Sequence, residues 1–360
     1  MTINFGAGPA KVPKEVLLQA QQEFLDYDGT GISIVELSHR SAAFTKIVER
    51  VVANVREILN VPEDYAVLLM HGGGVGEMAA VAMNLCGSSQ NTVDYVVTGY
   101  WSEKAAKEAA KYCNVRKIAS PSFTSVPAGS TWNVTENAKY LFYCDNETIH
   151  GVEFDKVPEV GSVPLVSDMT SNLFTRPVDV TKFGCIFAGT QKNVGIASLT
   201  IAIVRKDLIA PLKITPSILD YNVALNNNSL QNTPSCFSIY VTGLYLEWIK
   251  RNGGVAGMAR HADEKSSVIY NVIDSSNGFY HNPVENQFRS RLTIPFRVGG
   301  VSGNAELEKK FLVEAEALGM IQLKGHRSVG GIRASMYNAM TIDEVTILAN
   351  FMQDFQSKNS

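Results

Sequence analysis

Three things are scarce in this 360-residue sequence, and each scarcity closes off a class of function. Net charge is the first: 32 Lys and Arg against 35 Asp and Glu leave a formal charge of −3. Without a basic excess the chain has no electrostatic footprint for nucleic acid or an anionic membrane, so any anion it binds must be caught by local residues. Long apolar runs are the second: nowhere do about 18 apolar residues follow one another, as a membrane span requires. The opening MTINFGAGPAKVP also lacks the basic and apolar regions of a secretory signal. Patterned cysteine is the third. Cys86, Cys113, Cys144, Cys185 and Cys236 are dispersed with no CxxC spacing, which reads as reduced thiols and not as a disulfide frame or zinc site. Together these point to a cytoplasmic protein with no membrane, nucleic-acid or metal partner.

What is present is an ordinary globular composition, 45% hydrophobic and 19% charged, in a chain long enough for a large domain and a smaller one. Short β-rich runs lie at Tyr65–Met70, Val93–Thr98, Tyr140–Cys144, Val163–Ser167, Cys185–Ala188 and Leu199–Val204. Several are apolar nearly throughout, as strands covered on both faces should be. Helical patterns at Glu77–Leu85 and Ser102–Tyr112 fall between them, predicting an open α/β sheet with helices on both sides. Beyond residue 205 long loops lead to a helix near Phe237–Ile249, which stops at Asn252-Gly253-Gly254. A second α/β unit follows, with helices near Ala259–Ile273 and Ala305–Ala317, a strand near Leu292–Phe296 and a last helix from Ile342. The expected division is 15–254 for the large domain and 255–360 for the small one, with 1–14 packing near the latter.

Sites in open α/β sheets sit beyond the carboxyl ends of the strands. The first strand runs into His71-Gly72-Gly73-Gly74-Val75-Gly76, a turn whose backbone N–H groups could approach an anion at a helix N-terminus. It is neither a dinucleotide fingerprint, since Glu77 stands where a third glycine belongs, nor a P-loop, since no Gly-Lys-Ser/Thr follows. The next strand delivers Trp101, which could simply cover a sheet edge. Another delivers Asp145-Asn146-Glu147-Thr148, which capping would explain equally well. Two more end on Asp168 and on Gln191-Lys192-Asn193. A lysine there is ordinarily a surface charge and an aspartate a helix cap. Jointly they meet one specific requirement: pyridoxal phosphate needs a lysine amine, a carboxylate at its ring nitrogen, a phosphate cradle and an aromatic face. Gly74, Trp101, Thr148, Asp168 and Lys192 supply these in order.

At this point the chain resembles the phosphoserine aminotransferases, fold-type I pyridoxal-phosphate enzymes of aminotransferase class V, over nearly its full length. The resemblance is carried by Asn4-Phe5-Gly6-Ala7-Gly8-Pro9-Ala10, Glu36-Leu37-Ser38-His39-Arg40-Ser41, Asn146-Glu147-Thr148-Ile149, Ala188-Gly189-Thr190-Gln191-Lys192-Asn193, Asn232-Thr233-Pro234 and Gly325-His326-Arg327-Ser328-Val329-Gly330-Gly331-Ile332-Arg333-Ala334-Ser335. It implies a mainly parallel large-domain sheet, a smaller α/β C-terminal domain and a homodimer. It also implies that Lys192 bears pyridoxal 5'-phosphate, that Asp168 pairs with the ring nitrogen, and that Trp101 stacks on the ring. Thr148 would bond the phenolic side. Gly74, Val75 and Gln191 would hold the phosphate, joined by Asn232 and Thr233 from the other subunit. Arg333 would clamp the substrate α-carboxylate. His39, Arg40, His326 and Arg327 would receive a phosphate or a distal carboxylate, some of them across the dimer. Val75, Glu77, Met78 and Ala7 depart from residues common in the family, outside the core chemistry. His71, His150, His261 and His281 read as structural, His150 being the one nearest the cofactor loop.

The implied reaction is reversible amino transfer between O-phospho-L-serine and 2-oxoglutarate, giving 3-phosphohydroxypyruvate and L-glutamate in serine biosynthesis. A serine–glyoxylate aminotransferase is the alternative within the fold, but twin His-Arg pairs suit a doubly anionic substrate better than a small neutral one. A cysteine desulfurase would need a Cys in a mobile loop near the site. A nucleotide-binding dehydrogenase would rest on the glycine loop alone, and a catalytically dead binding module leaves the Lys192–Asp168 pair without purpose.

Overall fold

The computed structural model describes residues 2–120, 122–211 and 215–360. Its centre is a seven-stranded sheet. In chain order the strands are β1 (Tyr65–Met70), β2 (Thr92–Val97), β3 (Asn114–Ala119), β4 (Leu141–Cys144), β5 (Leu165–Asp168), β6 (Cys185–Gly189) and β7 (Thr200–Arg205). They lie side by side in the order β1-β7-β6-β5-β4-β2-β3. The pairs from β3 through to β6 are parallel, while β7 runs antiparallel to both β6 and β1. The connection from Gly189 to Thr200 explains that reversal. It is too short for a crossover helix, so the chain must return as the antiparallel neighbour. Lys192 sits in this tight return.

Both faces of the sheet are apolar, which is why its strands read as continuous hydrophobic runs. Leu69, Tyr143, Ile186 and Ile201 face one layer, with α1 (Lys14–Glu23), α2 (Ala42–Leu59) and α6 (Cys236–Arg251) packed on it. Met70, Phe142, Phe187 and Ala202 face the other, covered by α3 (Gly73–Val81), α4 (Tyr100–Ala109) and α5 (Tyr221–Asn226). Helix α2 buries Phe44, Ile47, Val48, Val51, Val55 and Leu59 along one stripe, and the Ser41 hydroxyl caps it by accepting the Phe44 amide at 3.2 Å. Strand β3 was not expected from its sequence. Only Ile118 of its six residues is buried, and Arg116 and Lys117 point to charged partners, as an edge strand's side chains do.

A second core gathers α7 (Gly254–Asp274), α8 (Ala305–Ala317) and α9 (Ile342–Asn359) on a three-stranded sheet of β8 (Tyr280–His281), β9 (Thr293–Val298) and β10 (Ile332–Ser335). Ile3 and Phe5 are buried in this core, and Ile3–Asn4 pairs with Met320–Ile321. Helix α7 belongs to both cores: Met258 packs with the large sheet's layer, Ile269 and Ile273 with the small one.

The exit of β4, which leads to the site, is held by charge. Asp145 is 1% exposed and receives two bonds from Arg176 Nη2, at 2.8 and 2.6 Å. Burial pushes the Asp145 carboxyl up, and Arg176 opposes that shift. Removing one member of a buried pair strands the other charge. Arg176→Met should therefore lose about 3–5 kcal/mol of stability in urea unfolding. A loss below about 1 kcal/mol, the worth of a solvated pair, would show that water reaches Asp145.

Candidate active site

The carboxyl ends of β1, β2, β4, β5 and β6 converge on a cavity of about 230 Å³ whose wall includes Gly74, Val75, Trp101, Thr148, Asp168, Gln191, Lys192, His326 and Arg333. The polar groups of the site stand here because the strand interiors are given mostly to apolar side chains. Asp168 is the last residue of β5 and is 6% exposed. Its Oδ1 accepts the Thr170 amide at 2.9 Å, an Asx turn closed by the chain's own direction change. Lys192 is 8% exposed, with its Nζ 5.8 Å from the centroid of the Trp101 ring.

Burial penalises both charges. It pulls the Lys192 amine below the usual lysine value, while Asp168 and Cys144 push back. It raises the Asp168 carboxyl, against the bonds from Thr170 and the charge of Lys192. A lysine so placed is more easily deprotonated, and the neutral amine is the nucleophile.

Trp101 is fixed at two points. Its indole N–H donates to Thr148 Oγ1 at 3.0 Å, and its amide donates to Glu147 Oε2 at 2.9 Å. Glu147 also accepts the Ser102 amide and hydroxyl, so a buried carboxylate caps the first turn of α4. Gly99 makes room for it: a Cβ there would come within 2.5 Å of Glu147 Cδ. The glycine turn is shorter than its sequence implies. Helix α3 begins at Gly73 and not at Glu77, because Gly72 at φ 90° and Gly73 at φ 61° complete the turn between them. The free N–H groups of that first turn thus belong to Gly73, Gly74 and Val75.

At the opposite end Arg333 Nη1 donates to the Thr148 carbonyl at 3.2 Å, and Tyr337 OH to that of Ala7 at 3.0 Å. His326 shares Nδ1 with Ser328 Oγ at 2.7 Å; burial, then Arg333 and Arg327, keep it below the usual histidine value. The remaining expected residues stand outside this wall. Arg327, Arg40 and Thr233 are exposed. His39 is half-buried, with an unpartnered Nε2. Asn232 lies beside His71 of its own chain. The cavity also takes in Gly8 and Asn146, which lie in segments quoted above without a role of their own, and Thr170 and Ser171, which were not singled out. Thr170 had a signal, a hydroxyl residue two places after a buried Asp; its Oγ1 accepts the Gly189 amide at 3.2 Å. Ser171 had none, since its partner Asn146 lies 25 residues away.

These residues fit pyridoxal phosphate. A buried amine faces a buried carboxylate across a cavity with an indole wall, and one end of the cavity is a helix N-terminus suited to phosphate.

Comparison with known proteins agrees. The family model for aminotransferase class V matches residues 2–348. A phosphoserine aminotransferase of Drosophila melanogaster is 57% identical, with 100% of each chain covered. The solved structure of the phosphoserine aminotransferase from Bacillus circulans subsp. alkalophilus superposes with a TM-score of 0.96 at 41% identity, over 100% of this chain and 99% of that one. A pyridoxal-phosphate-bound phosphoserine aminotransferase from Trichomonas vaginalis gives 0.94 at 37% identity, over 98% and 100%. The chain belongs to the class V aminotransferases and is a pyridoxal-phosphate-dependent transaminase of fold type I, acting on amino and keto acids. Within that class its family is that of the phosphoserine aminotransferases.

One departure from that family's common residues has a measurable consequence. Glu77 is fully buried, its Oε1 accepting the Tyr221 hydroxyl and its Oε2 without a partner. Burial raises its pKa from 4.5 to about 7, with Tyr221 opposing and Asp168 adding to the rise. The folded pKa lies above the unfolded one, so this group's stabilisation is complete below pH 4.5 and lost as pH rises through about 7. Stability should fall by about 3 kcal/mol across that window from Glu77 alone. Glu77→Gln should flatten the slope in urea unfolding followed from pH 4.5 to 8. An unchanged slope would place the proton elsewhere.

Proposed function

We propose that the protein catalyses reversible amino transfer between O-phospho-L-serine and 2-oxoglutarate, giving 3-phosphohydroxypyruvate and L-glutamate, in serine biosynthesis. The observation that supports this best is the basic end of the cavity. Arg333 and the His326 imidazole line it, and the Arg327 charge is close enough to His326 to lower its proton affinity. A substrate with a second anion beyond its α-carboxylate gives both Arg333 and Arg327 a partner; a small neutral amino acid, as in the serine–glyoxylate alternative, leaves Arg327 unused.

Pyridoxal phosphate, when bound, supplies the electron sink that lets an amino acid lose its α-proton. The chain's own residues do the rest. Lys192 would hold the cofactor and then carry the α-proton on Nζ, which its burial makes ready to release and accept. Asp168 would keep a proton on the ring nitrogen. Trp101 covers one ring face and excludes water, and Thr148 orients it through its hydroxyl. The Gly74 and Val75 amides, with Gln191, would hold the cofactor's phosphate. Arg333 binds the α-carboxylate as a planar fork.

We also place the active form as a homodimer. His39, Arg40, Asn232 and Thr233 do not line their own chain's cavity. The segment leading to Arg40 exposes Phe24, Leu25, Ile32 and Val35, with Leu25 79% exposed. Apolar side chains grouped in this way mark a surface that another protein covers. A second copy would bury them and carry the four polar residues to its neighbour's site. The dispersed free thiols suit the cytoplasm, and among the described residues no helix is long and apolar enough to cross a membrane.

Arg327→Ala should weaken phosphoserine by roughly 1.5–3 kcal/mol, the worth of charged hydrogen bonds, and serine far less. Arg333→Ala should weaken every amino acid alike, since all have the α-carboxylate. Steady-state kinetics with phosphoserine, glutamate and serine decide this; equal losses for phosphoserine and serine in Arg327→Ala would remove the phosphate role. Mixing an Arg40→Ala chain with a Lys192→Ala chain tests the shared site. If Arg40 crosses the interface, the mixed dimer has one intact site and activity partly returns. A mixture that stays dead despite subunit exchange assigns Arg40 to its own chain.

A further inference from the structure

Transamination needs the lysine amine and the carboxylate-binding arginine at a set separation, yet Lys192 and Arg333 belong to different cores. Lys192 lies in the β6–β7 return of the large sheet, and Arg333 on β10 of the small one. The chain leaving β10 runs through Tyr337-Asn338-Ala339-Met340 before α9 begins. Asn338 is 5% exposed and points back into the large sheet's end. Its Nδ2 donates to the carbonyl of Asn193 and to that of Phe174, each at 3.2 Å, and its amide donates to Asn193 Oδ1 at 3.4 Å.

Each of those partners belongs to a loop of the site. Asn193 follows Lys192 directly and is itself buried, donating Nδ2 to the Ser171 carbonyl at 2.5 Å. Phe174 ends the loop that starts at Asp168. It is fully buried in the left-handed region at φ 63°, a conformation a bulky residue keeps only where its surroundings impose it. The other side of the 337–340 turn is clamped as well. Lys265 of α7, 2% exposed, donates Nζ to the carbonyls of Tyr337 at 2.8 Å and Met340 at 3.0 Å.

The geometry points to Asn338 as a positioning residue that sets the distance between Lys192 and Arg333 by stapling the exit of the Arg333 strand to the Lys192 and Asp168 loops. It touches no reacting group. A core amide that only satisfied stray carbonyls would stabilise the fold, whereas one that joins these three segments also governs how the substrate is aligned. This assignment rests on the roles proposed above for Lys192 and Arg333.

Asn338→Ala removes both side-chain bonds and leaves the backbone one. In the cofactor-loaded protein, kcat should fall about tenfold or more for phosphoserine and glutamate alike, since small misplacements cost that much in alignment. KM should change far less, and the preference for phosphoserine over serine should be kept, because neither anion site is altered. Deuterium exchange followed by mass spectrometry should quicken together in peptides covering 171–174, 190–194 and 332–340. Asn338→Ser, which keeps one donor, should fall between the two and serves if the alanine variant does not fold. A lowered melting temperature with unchanged kcat per cofactor-loaded site would overturn the assignment. So would exchange that quickens only in 336–340. Should the native protein fail to use phosphoserine, the function proposed above falls, while the exchange pattern still decides whether Asn338 joins the two cores.

Discussion

Everything in this site follows from placing an amine and a carboxylate together where water is scarce. Desolvation works against the charge of each, lowering the basicity of Lys192 and raising the proton affinity of Asp168. Neither could remain buried as a lone ion; each is tolerated because the other is near and because Thr170 bonds the carboxylate. The arrangement is costly for the fold and useful for chemistry. An amine that gives up its proton readily can act as nucleophile and proton carrier, and a carboxylate that holds a proton well can share it with a ring nitrogen.

The architecture that permits this is a sheet covered on both faces. Its central strands offer mostly apolar side chains to either layer, so the polar groups of the site gather where the strands end. Fixing them there takes a supporting set of buried polar contacts. Glu147 caps α4 and aligns Trp101; Arg176 holds the exit of β4 through Asp145. The small core closes the cavity from the other side with Arg333 and His326, and α7 runs through both cores. The N-terminal strand pairs with the small core and then passes Gly8 into the cavity wall, so the chain's beginning and end meet at the site.

Much of the central sheet could be read directly. β1, β4 and β6 announce themselves because strands apolar on both faces leave an unbroken hydrophobic run. β3 does not, because an edge strand with Arg116 and Lys117 outward looks like loop. The start of α3 was hidden for another reason: three glycines look like a turn, and only the folded backbone shows that the first two make it and the helix is already under way at Gly74. The antiparallel β7 was implied by the short Gly189–Thr200 connection, yet the alternation of strands alone suggests a parallel neighbour.

The sequence by itself determined the chemical inventory: a lysine, an aspartate, a tryptophan and a glycine turn at successive strand ends, with two His-Arg pairs and Arg333 further on. Local pattern suffices there, since strand periodicity and turn residues act over a few positions. Only the tertiary structure decided which of them meet. It brings Arg333 to Thr148 across 185 residues and Asn338 to Asn193 across 145. It leaves His39, Arg40, Asn232 and Thr233 off their own chain's cavity. It also sets the proton affinities of Lys192, Asp168 and Glu77, because these depend on burial and on neighbours far along the chain, which no local pattern encodes.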